Sequence, residues 1–325
     1  MNIAYFMRNE ADIARLAPSD AQWIKISSRP DHTYAPEDLA KLANVEALLV
    51  WTERITPEVV AAAPKLKIIQ RFGAGYDVLT PVFELTRARG IPCCNVEGVN
   101  RVPVGEHGML LMLAVAHRLN EMQEHTRAGR WPRELHPWIP SFELDGKTLG
   151  IVGLGNTGME LAKRAKAFGM RILYNDTRTI DPALVKSVEA TFIDKDDLFR
   201  ESDFISINTD LNPTSRTMID ARTIELMKRT AVVICCARGG IIDEVALRDA
   251  LNSGRIAGAG LDVYSPEPIR SDNPLLGAKN IVLTPHVAGV TRESLARSYD
   301  WAHENVRRVV QRNEPAKWIV NGLKY

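Results

Sequence analysis

The sequence predicts an α/β protein with two successive parallel units, the second and larger of which is a doubly wound sheet. Short apolar runs rich in β-branched residues alternate with helical patterns from the N-terminus, and the alternation starts again at Lys147. A glycine-rich turn follows the first strand of the second alternation. At 325 residues the chain is also long enough for two hydrophobic cores.

The first alternation has strand-like runs at residues 3–7, 47–51 and 66–72. Its helical stretches begin with the Pro-Glu pairs at 36–37 and 57–58, where proline suits the first turn of a helix. Residues 104–128 then predict one long helix that ends near Gly129. The Trp- and Pro-rich segment at 131–140 has no regular period, so we interpret it as a connector or as an arm that packs on a partner.

The second alternation predicts a helix at 157–168 and one strand before it, with five more strands behind it. The six predicted strands cover residues 149–152, 171–175, 204–208, 231–236, 258–263 and 281–283. A last helix is predicted at 292–312. The pattern alone leaves two arrangements open for this helix, since it either extends the second unit or crosses back to complete the first.

Composition and charge exclude several classes of protein. The 41 basic and 40 acidic residues give a net charge of +1, so no large field attracts nucleic acid or an anionic membrane. The longest apolar run, residues 109–116, is far shorter than the roughly 20 residues that span a bilayer. Four cysteines lie in two adjacent pairs, at 93–94 and 235–236, which suits neither a disulfide framework nor a zinc site. We therefore expect a cytoplasmic protein with reduced core thiols and no metal, a catalytic thiol being the alternative.

Residues 153–158 form a G-x-G-x-x-G turn directly after a predicted strand and at the start of a predicted helix. Gly153 permits the tight turn, Gly155 lets the backbone approach a pyrophosphate, and Gly158 lets the helix pack closely on the strand. Asn156 and Thr157 lie at the helix start, where backbone amides bind phosphates. The turn therefore predicts a dinucleotide site.

Asp176 stands at the end of the next predicted strand, where an acid accepts hydrogen bonds from the adenosine ribose. A carboxylate there repels a 2′-phosphate, so the sequence favours NAD over NADP. Arg178 weakens this preference because its guanidinium is able to pair with a phosphate.

Three later segments each place a chemically useful side chain after a strand: Arg238, Glu267 and His286. Ligands of open α/β sheets bind at that edge. An arginine holds a carboxylate, a histidine exchanges a proton with a carbonyl oxygen, and a glutamate orients the histidine. Each residue alone also fits a surface charge or a structural histidine, but their joint occurrence behind a dinucleotide turn favours hydride transfer to a carbonyl.

The segments GIVGLGNTG, CCARGGIIDE, GLDVYSPEP and LTPHVAG resemble the D-isomer-specific 2-hydroxyacid dehydrogenase family, in family order and across essentially the whole chain. The resemblance implies an enzyme that transfers a hydride between NAD(H) and a small D-2-hydroxy acid or its 2-oxo partner, of the phosphoglycerate, hydroxypyruvate or glyoxylate type. It implies that Arg238 binds the substrate carboxylate, that His286 is the general acid and base, and that Glu267 is its partner.

The same resemblance implies further contacts. Asn208, Ala237 and Asp262 would lie in the cofactor site, with Asp262 on the nicotinamide carboxamide, and the loop Gly73-Ala74-Gly75 would meet the carboxylate through its amides. Some positions depart from the family pattern and place cofactor contacts in doubt. They are Pro103, Asp210 where proline is usual, and Cys235 where asparagine is frequent.

Two Rossmann-like domains are implied as well. An NAD-binding domain over residues 101–286 would be inserted in a smaller, flavodoxin-like substrate domain formed by residues 1–100 and 287–325, which places the last helix in the smaller domain. A homodimer is implied, formed largely through the nucleotide domain, with the arm at 131–140 as a contributor.

Arg71 matches an arginine with which phosphoglycerate dehydrogenases bind the phosphate of their substrate. This resemblance implies an anionic group at the distal end of the substrate. A salt bridge within the small domain is the equal alternative. Two other functions fit the fold. Formate dehydrogenases carry glutamine where Glu267 stands, and corepressors of this fold bind NAD and protein partners with little turnover.

Overall fold

The computed structural model describes residues 1–6, 21–29, 31–131 and 141–324. The chain divides into two compact units, a smaller one of Met1–Asn100 with Thr291–Tyr325 and a larger one of Arg101–Val290. The larger unit continues past His286, where the backbone amides of Val287 and Ala288 donate to the carboxylate of Asp262.

The elements alternate along the described chain much as the sequence predicts. The strands are β1 (Asn2–Phe6), β2 (Gln22–Lys25), β3 (Ala47–Val50), β4 (Ile68–Arg71), β5 (Cys93–Cys94), β6 (Thr148–Val152), β7 (Arg171–Asn175), β8 (Thr191–Phe192), β9 (Phe204–Ile207), β10 (Val232–Cys235), β11 (Gly258–Leu261) and β12 (Ile281–Leu283). The helices are α1 (Pro36–Ala40), α2 (Pro57–Ala62), α3 (Phe83–Ala88), α4 (Arg101–Ala116), α5 (Leu119–Arg127), α6 (Asn156–Ala167), α7 (Pro182–Ser187), α8 (Lys195–Glu201), α9 (Ala221–Leu226), α10 (Glu244–Ser253) and α11 (Arg292–Val310). Short 3-10 turns cover Lys41–Asn44, Asp77–Val82 and Pro274–Gly277.

The smaller unit is a five-stranded parallel sheet in the order β2-β1-β3-β4-β5. This is the flavodoxin-like order. Successive residues of β3 enter different cores: Leu48 and Val50 pack in one, Ala47 and Leu49 in the other. A strand buried on both faces needs this unbroken apolar run. Helix α11 contacts β3 and β4, so the last helix belongs to the smaller unit.

The larger unit is a seven-stranded parallel sheet in the order β12-β11-β10-β9-β6-β7-β8. The chain runs outward from β6 to β8 and returns to begin again at β9, on the other side of β6. The loops after β6 and β9 therefore meet at a topological switch point, which is where open α/β sheets bind ligands.

The single long helix predicted at 104–128 is wrong. Helix α4 ends at Ala116, and α5 starts at Leu119, because Arg118 adopts a left-handed backbone with φ of 51°. The Arg118 amide donates to the Val115 carbonyl three residues back, which tightens the last turn. Neither glycine nor proline marks this break, so the apolar pattern continues through it.

Several elements were not predicted, namely the strands β2, β5 and β8 and the helices α3, α7, α8, α9 and α10. Helix α11 ends two residues before the predicted position. Of the arm at 131–140, only Trp131 lies within the described residues, and its side chain is exposed. Over the described parts of the chain, no helix combines the length and the apolar character needed to cross a membrane.

Candidate active site

The glycine-rich turn connects β6 to α6 at the switch point. Gly153 has φ of +93°, a conformation that favours glycine, and a Cβ built on it would lie 2.7 Å from the Asn208 carbonyl oxygen at the end of β9. A Cβ built at Gly158 would overlap the Gly153 carbonyl oxygen. These two glycines are therefore required by the packing of the turn itself.

Gly155 differs from its two neighbours in the motif. A Cβ built there would meet only the Arg178 guanidinium, with the nearest nitrogen at 2.8 Å. Helix α6 begins at the next residue, so the amides of Asn156 and Thr157 lie in its first turn. A backbone bare of side chains beside a helix N-terminus fits the pyrophosphate of a dinucleotide.

Asp176 follows β7, and its side chain is only 5% exposed. It accepts hydrogen bonds from the amides of Leu154 and Arg178, each at 2.9 Å. Burial by itself would raise the pKa of this carboxyl, but the Arg178 side chain and the two amides outweigh burial and hold the pKa below its usual range. Asp176 is thus an ionised acid fixed to the glycine-rich turn.

Glu267 and His286 form a direct pair in the larger unit. Glu267 Oε2 lies 2.6 Å from His286 Nδ1, while Oε1 accepts from the Tyr264 amide at 3.0 Å. Burial opposes ionisation of Glu267, yet the bonds from His286 and Tyr264, together with the positive charge of Arg238, hold its pKa below the usual value. The structure thus brings together the three residues that sequence analysis singled out.

The backbone around His286 is held by one buried carboxylate. Asp262 is fully buried and accepts from the Thr284 hydroxyl at 2.6 Å and from the Val287 and Ala288 amides at 3.0 and 2.8 Å. His286 has φ of 54°, a left-handed conformation that is uncommon for residues other than glycine. Asp262 therefore fixes the chain on both sides of this residue.

A second histidine lies behind this carboxylate. His107 Nε2 of α4 is 2.9 Å from the Thr284 hydroxyl oxygen. Since that hydroxyl donates to Asp262, it accepts from His107. Burial lowers the pKa of His107, and the nearby Asp262 charge opposes this shift without cancelling it. Sequence analysis missed His107 and Thr284, because nothing in the local pattern joins positions 177 residues apart.

Glu244 is another residue that the sequence did not reveal. Its carboxylate accepts from the Ser265 amide at 2.8 Å and from the Asn273 side chain at 2.7 Å. It thereby fixes the turn that carries Glu267. Gly239, next to Arg238, has no room for a Cβ because the Tyr264 carbonyl oxygen packs against it.

The remaining expected cofactor residues lie at the ends of neighbouring strands. Asn208 follows β9 and donates to the Ser206 hydroxyl at 2.9 Å, and Ala237 follows β10, where its carbonyl accepts from Arg238 at 2.8 Å. Cys235 is fully buried, and burial raises its pKa to about 11, so its thiol stays protonated at neutral pH. This favours the core interpretation of Cys235 over a catalytic thiol.

The expected substrate residues of the smaller unit lie after β4. Arg71 ends that strand and donates from Nε to the Trp51 carbonyl at 3.1 Å. The loop at 73–75 follows, and a Cβ built on Gly73 would lie 3.0 Å from the Arg71 guanidinium. Arg71 thus packs directly beside the loop.

Comparison with known proteins decides the family. A model described as D-isomer specific 2-hydroxyacid dehydrogenase, NAD binding domain, matches residues 109–288, more than half of the chain. The chain belongs to this family. A glyoxylate reductase from Thermococcus kodakarensis is 39% identical over 305 residues, which cover 89% of this chain and 90% of that protein. A D-3-phosphoglycerate dehydrogenase from Methanocaldococcus jannaschii is 37% identical over 287 residues, covering 88% of this chain and 53% of that protein.

A solved structure agrees with these sequence matches. The NADPH-dependent glyoxylate/hydroxypyruvate reductase of Sinorhizobium meliloti, solved with NADP and malonate, matches this 2-hydroxyacid dehydrogenase with a TM-score of 0.86 at 27% identity, over 100% of this chain and 98% of that one. The predicted family, the two-domain Rossmann-type fold and the oxidoreductase class are confirmed. None of these matches supports the corepressor alternative.

Proposed function

We propose that this dehydrogenase reduces a small 2-oxo acid of the glyoxylate, hydroxypyruvate or phosphohydroxypyruvate type to the D-2-hydroxy acid. The observation that carries the proposal is the contact of 2.6 Å between Glu267 Oε2 and His286 Nδ1. A general acid needs a fixed ring and a partner that stabilises its protonated form, and this contact supplies both.

His286 is the proton donor in this proposal. Because Nδ1 is engaged by Glu267, the proton given to the 2-oxygen comes from Nε2. An ionised Glu267 favours the imidazolium, which is the form that donates during reduction. In the oxidising direction the neutral ring takes the proton back.

Arg238 binds the substrate carboxylate, since its planar fork of donors matches the two carboxylate oxygens. The contact from its guanidinium to the Ala237 carbonyl holds the side chain near its own backbone. The amides of Ala74 and Gly75 are proposed as further carboxylate donors. When bound, reduced nicotinamide supplies the hydride to carbon 2, and Asp262 is the proposed ligand of its carboxamide.

The role of Arg71 determines which group is expected at the distal end of the substrate. The relative named phosphoglycerate dehydrogenase favours a phosphate contact, whereas the relatives named glyoxylate reductase need none. Replacing Arg71 by Ala separates the two: turnover of phosphohydroxypyruvate falls and that of glyoxylate is unchanged if Arg71 binds the distal phosphate. Equal losses with both acids favour a structural salt bridge.

We propose NAD as the preferred cofactor, supported by the ionised and buried carboxylate of Asp176. The exposed Arg178 leaves some capacity for NADP, and the Sinorhizobium meliloti relative is NADPH-dependent. We propose that the larger unit, Arg101–Val290, binds NAD and that the smaller unit, Met1–Asn100 with Thr291–Tyr325, is the substrate domain.

We also propose a cytoplasmic homodimer. The free thiols of all four cysteines support the compartment. Three exposed apolar side chains of the larger unit, Leu110, Leu119 and Trp131, support association through that unit. Light scattering on the purified protein tests the dimer: a monomer mass at micromolar concentration would contradict it.

The decisive experiment follows NADH absorbance with glyoxylate, hydroxypyruvate, phosphohydroxypyruvate, pyruvate and bulkier 2-oxo acids, and repeats the panel with NADPH. His286→Ala is expected to lower kcat by about 10²–10⁴-fold while NADH binding, followed by fluorescence, is retained. Absence of turnover with every acid, despite tight NADH binding, would refute the proposal.

A further inference from the structure

A ladder of uncharged amide side chains runs through the interior of the smaller unit. Gln70 and Asn305 are completely buried, and Asn95 is 5% exposed. Gln70 lies in β4, Asn95 follows β5, and Asn305 lies in α11. Burying an amide side chain costs free energy unless it is hydrogen-bonded. The hydrogen bonds of each amide therefore indicate why a polar residue stands at its position.

The ladder leads from α11 to the loop at 73–75. Asn305 Nδ2 donates to Gln70 Oε1 at 2.6 Å. Gln70 Nε2 donates to the carbonyl oxygens of Arg71 at 2.7 Å and Asn95 at 2.9 Å. Asn95 Nδ2 then donates to the Ala74 carbonyl oxygen at 2.6 Å. The last bond is the one that reaches the loop.

Two consecutive carbonyl groups of the loop are fixed on one side. The Asn95 side chain takes the Ala74 carbonyl, and the Val96 amide donates to the Gly73 carbonyl at 3.3 Å. In a planar trans peptide the N–H points away from the preceding C=O. The N–H groups of Ala74 and Gly75 therefore point away from Asn95. Within the described residues neither N–H has an acceptor, so both are available to an anion.

Within the part of the chain that the structure describes, only one of the two polar atoms of the Asn95 side chain makes a hydrogen bond. Its Oδ1 is buried and has no hydrogen-bond partner among the described residues. A buried acceptor without a partner destabilises the fold, and an apolar side chain of similar size would avoid that penalty. The donation from Nδ2 to Ala74 is therefore the interaction for which asparagine, and not leucine, suits this position.

We propose that Asn95 is a positioning residue for the substrate loop, and that Gln70 and Asn305 keep Asn95 in register with it. Through this ladder the amides of Ala74 and Gly75 are directed toward the substrate carboxylate. The inference rests on the proposed function, since it requires that the loop binds a 2-oxo acid.

The test compares Asn95→Leu with Asn321→Leu. Asn321 is a matched control because it lies in the same unit, is 2% exposed, and also has a buried Oδ1 without a described partner. Its Nδ2 donates to the Thr86 hydroxyl and the Ile91 carbonyl, away from the loop. A structural role alone would make the two variants behave alike.

For Asn95→Leu we expect KM for glyoxylate to rise about tenfold or more, because two charge-assisted hydrogen bonds lose their alignment. We expect kcat to change much less, the Kd for NADH to stay the same, and the thermal midpoint to be retained. Asn305→Leu should shift KM in the same direction by less. For Asn321→Leu, KM should equal that of the parent. Asn95→Ala removes the same donor and replaces Asn95→Leu in the comparison if the bulkier side chain prevents folding.

Two results would overturn the inference. One is a KM for Asn95→Leu equal to that of the parent, and the other is an equal rise in Asn321→Leu. The assay of the parent reports separately on the proposed function. Turnover by the parent with an unchanged KM in the variant rejects the ladder alone, whereas no turnover by the parent with any 2-oxo acid rejects both.

Discussion

Replacing Gly158 or Gly155 of the same turn by alanine should affect different properties of the protein. The Cβ of Gly158→Ala would overlap the Gly153 carbonyl oxygen, which is backbone and cannot rotate aside. The Cβ of Gly155→Ala would meet only the exposed Arg178 guanidinium, which can move away. The first change therefore disturbs the fold, and the second disturbs only what approaches the turn from outside.

The magnitudes follow from these contacts. Overpacking costs about 1–3 kcal/mol and is greatest against backbone, while alanine inside a helix gains about 1 kcal/mol over glycine. A net loss of about 2 kcal/mol corresponds to a thermal midpoint lower by about 4–8 °C for a unit of this size. For Gly155→Ala two small effects oppose each other. The lower entropy of the unfolded chain stabilises the fold, and alanine is a slightly poorer helix cap than glycine, so the stability should change by less than about 1 kcal/mol. Its Kd for NADH should rise at least about tenfold, because a methyl group stands where the pyrophosphate approaches.

Thermal unfolding by intrinsic fluorescence and NADH titration measure the two quantities on the same preparations. Gly277→Ala is the control, since a Cβ built there meets nothing within 4 Å. The reasoning is refuted if Gly155→Ala binds NADH as tightly as the parent, or if Gly158→Ala melts at the parent temperature.

Three further predictions concern the pairs around the site. Because the pKa of Glu267 is depressed below 4.5, the stability that the parent has over Glu267→Gln should be complete above that pH and should vanish as the pH falls through the native value. Urea midpoints of the parent and of Glu267→Gln, measured between pH 7 and 3.5, give this difference in stability. A difference that grows as the pH falls below 4.5 would contradict the prediction. We also expect kcat of the variant to be at least about tenfold lower. Arg178→Ala removes an exposed ion pair to Asp176, so it should change stability by less than about 1 kcal/mol and weaken NADPH but not NADH binding in fluorescence titrations. Thr284→Val breaks two partly buried hydrogen bonds, to His107 and to the buried Asp262, and should cost about 1–3 kcal/mol together with a lower kcat. Thr284→Ser should keep both the stability and kcat, and equal losses in the two variants would point to packing instead.

Features that depend on local chemistry could be predicted from the sequence. The turn at 153–158 is recognisable because each glycine answers a constraint within a few residues, and the strand before it and the acid after it complete the pattern. The alternation of apolar runs likewise predicts parallel sheets, since β3 must be apolar on both faces.

Features that depend on distant partners could not be predicted. The break at Arg118 has no glycine or proline to announce it. The bond from His107 to Thr284 joins positions 177 apart in the chain, and that from Asn305 to Gln70 joins positions 235 apart. Histidine, threonine and amide side chains are common, so their types say little until the strand order brings them together.

Both units place a costly polar side chain under an irregular segment. Asp262 fixes the chain around His286, and Asn95 fixes the loop at Ala74. Neither segment belongs to a strand or helix, so neither has a regular set of backbone hydrogen bonds to define its shape. A buried acceptor or donor supplies that definition at a cost in desolvation, which a purely apolar core would avoid. The cost is understandable where the orientation of one ring or two amides controls a reaction. It follows that the rigidity of these segments is set by residues that need not touch a substrate, and that activity should depend on them as well as on the residues that do.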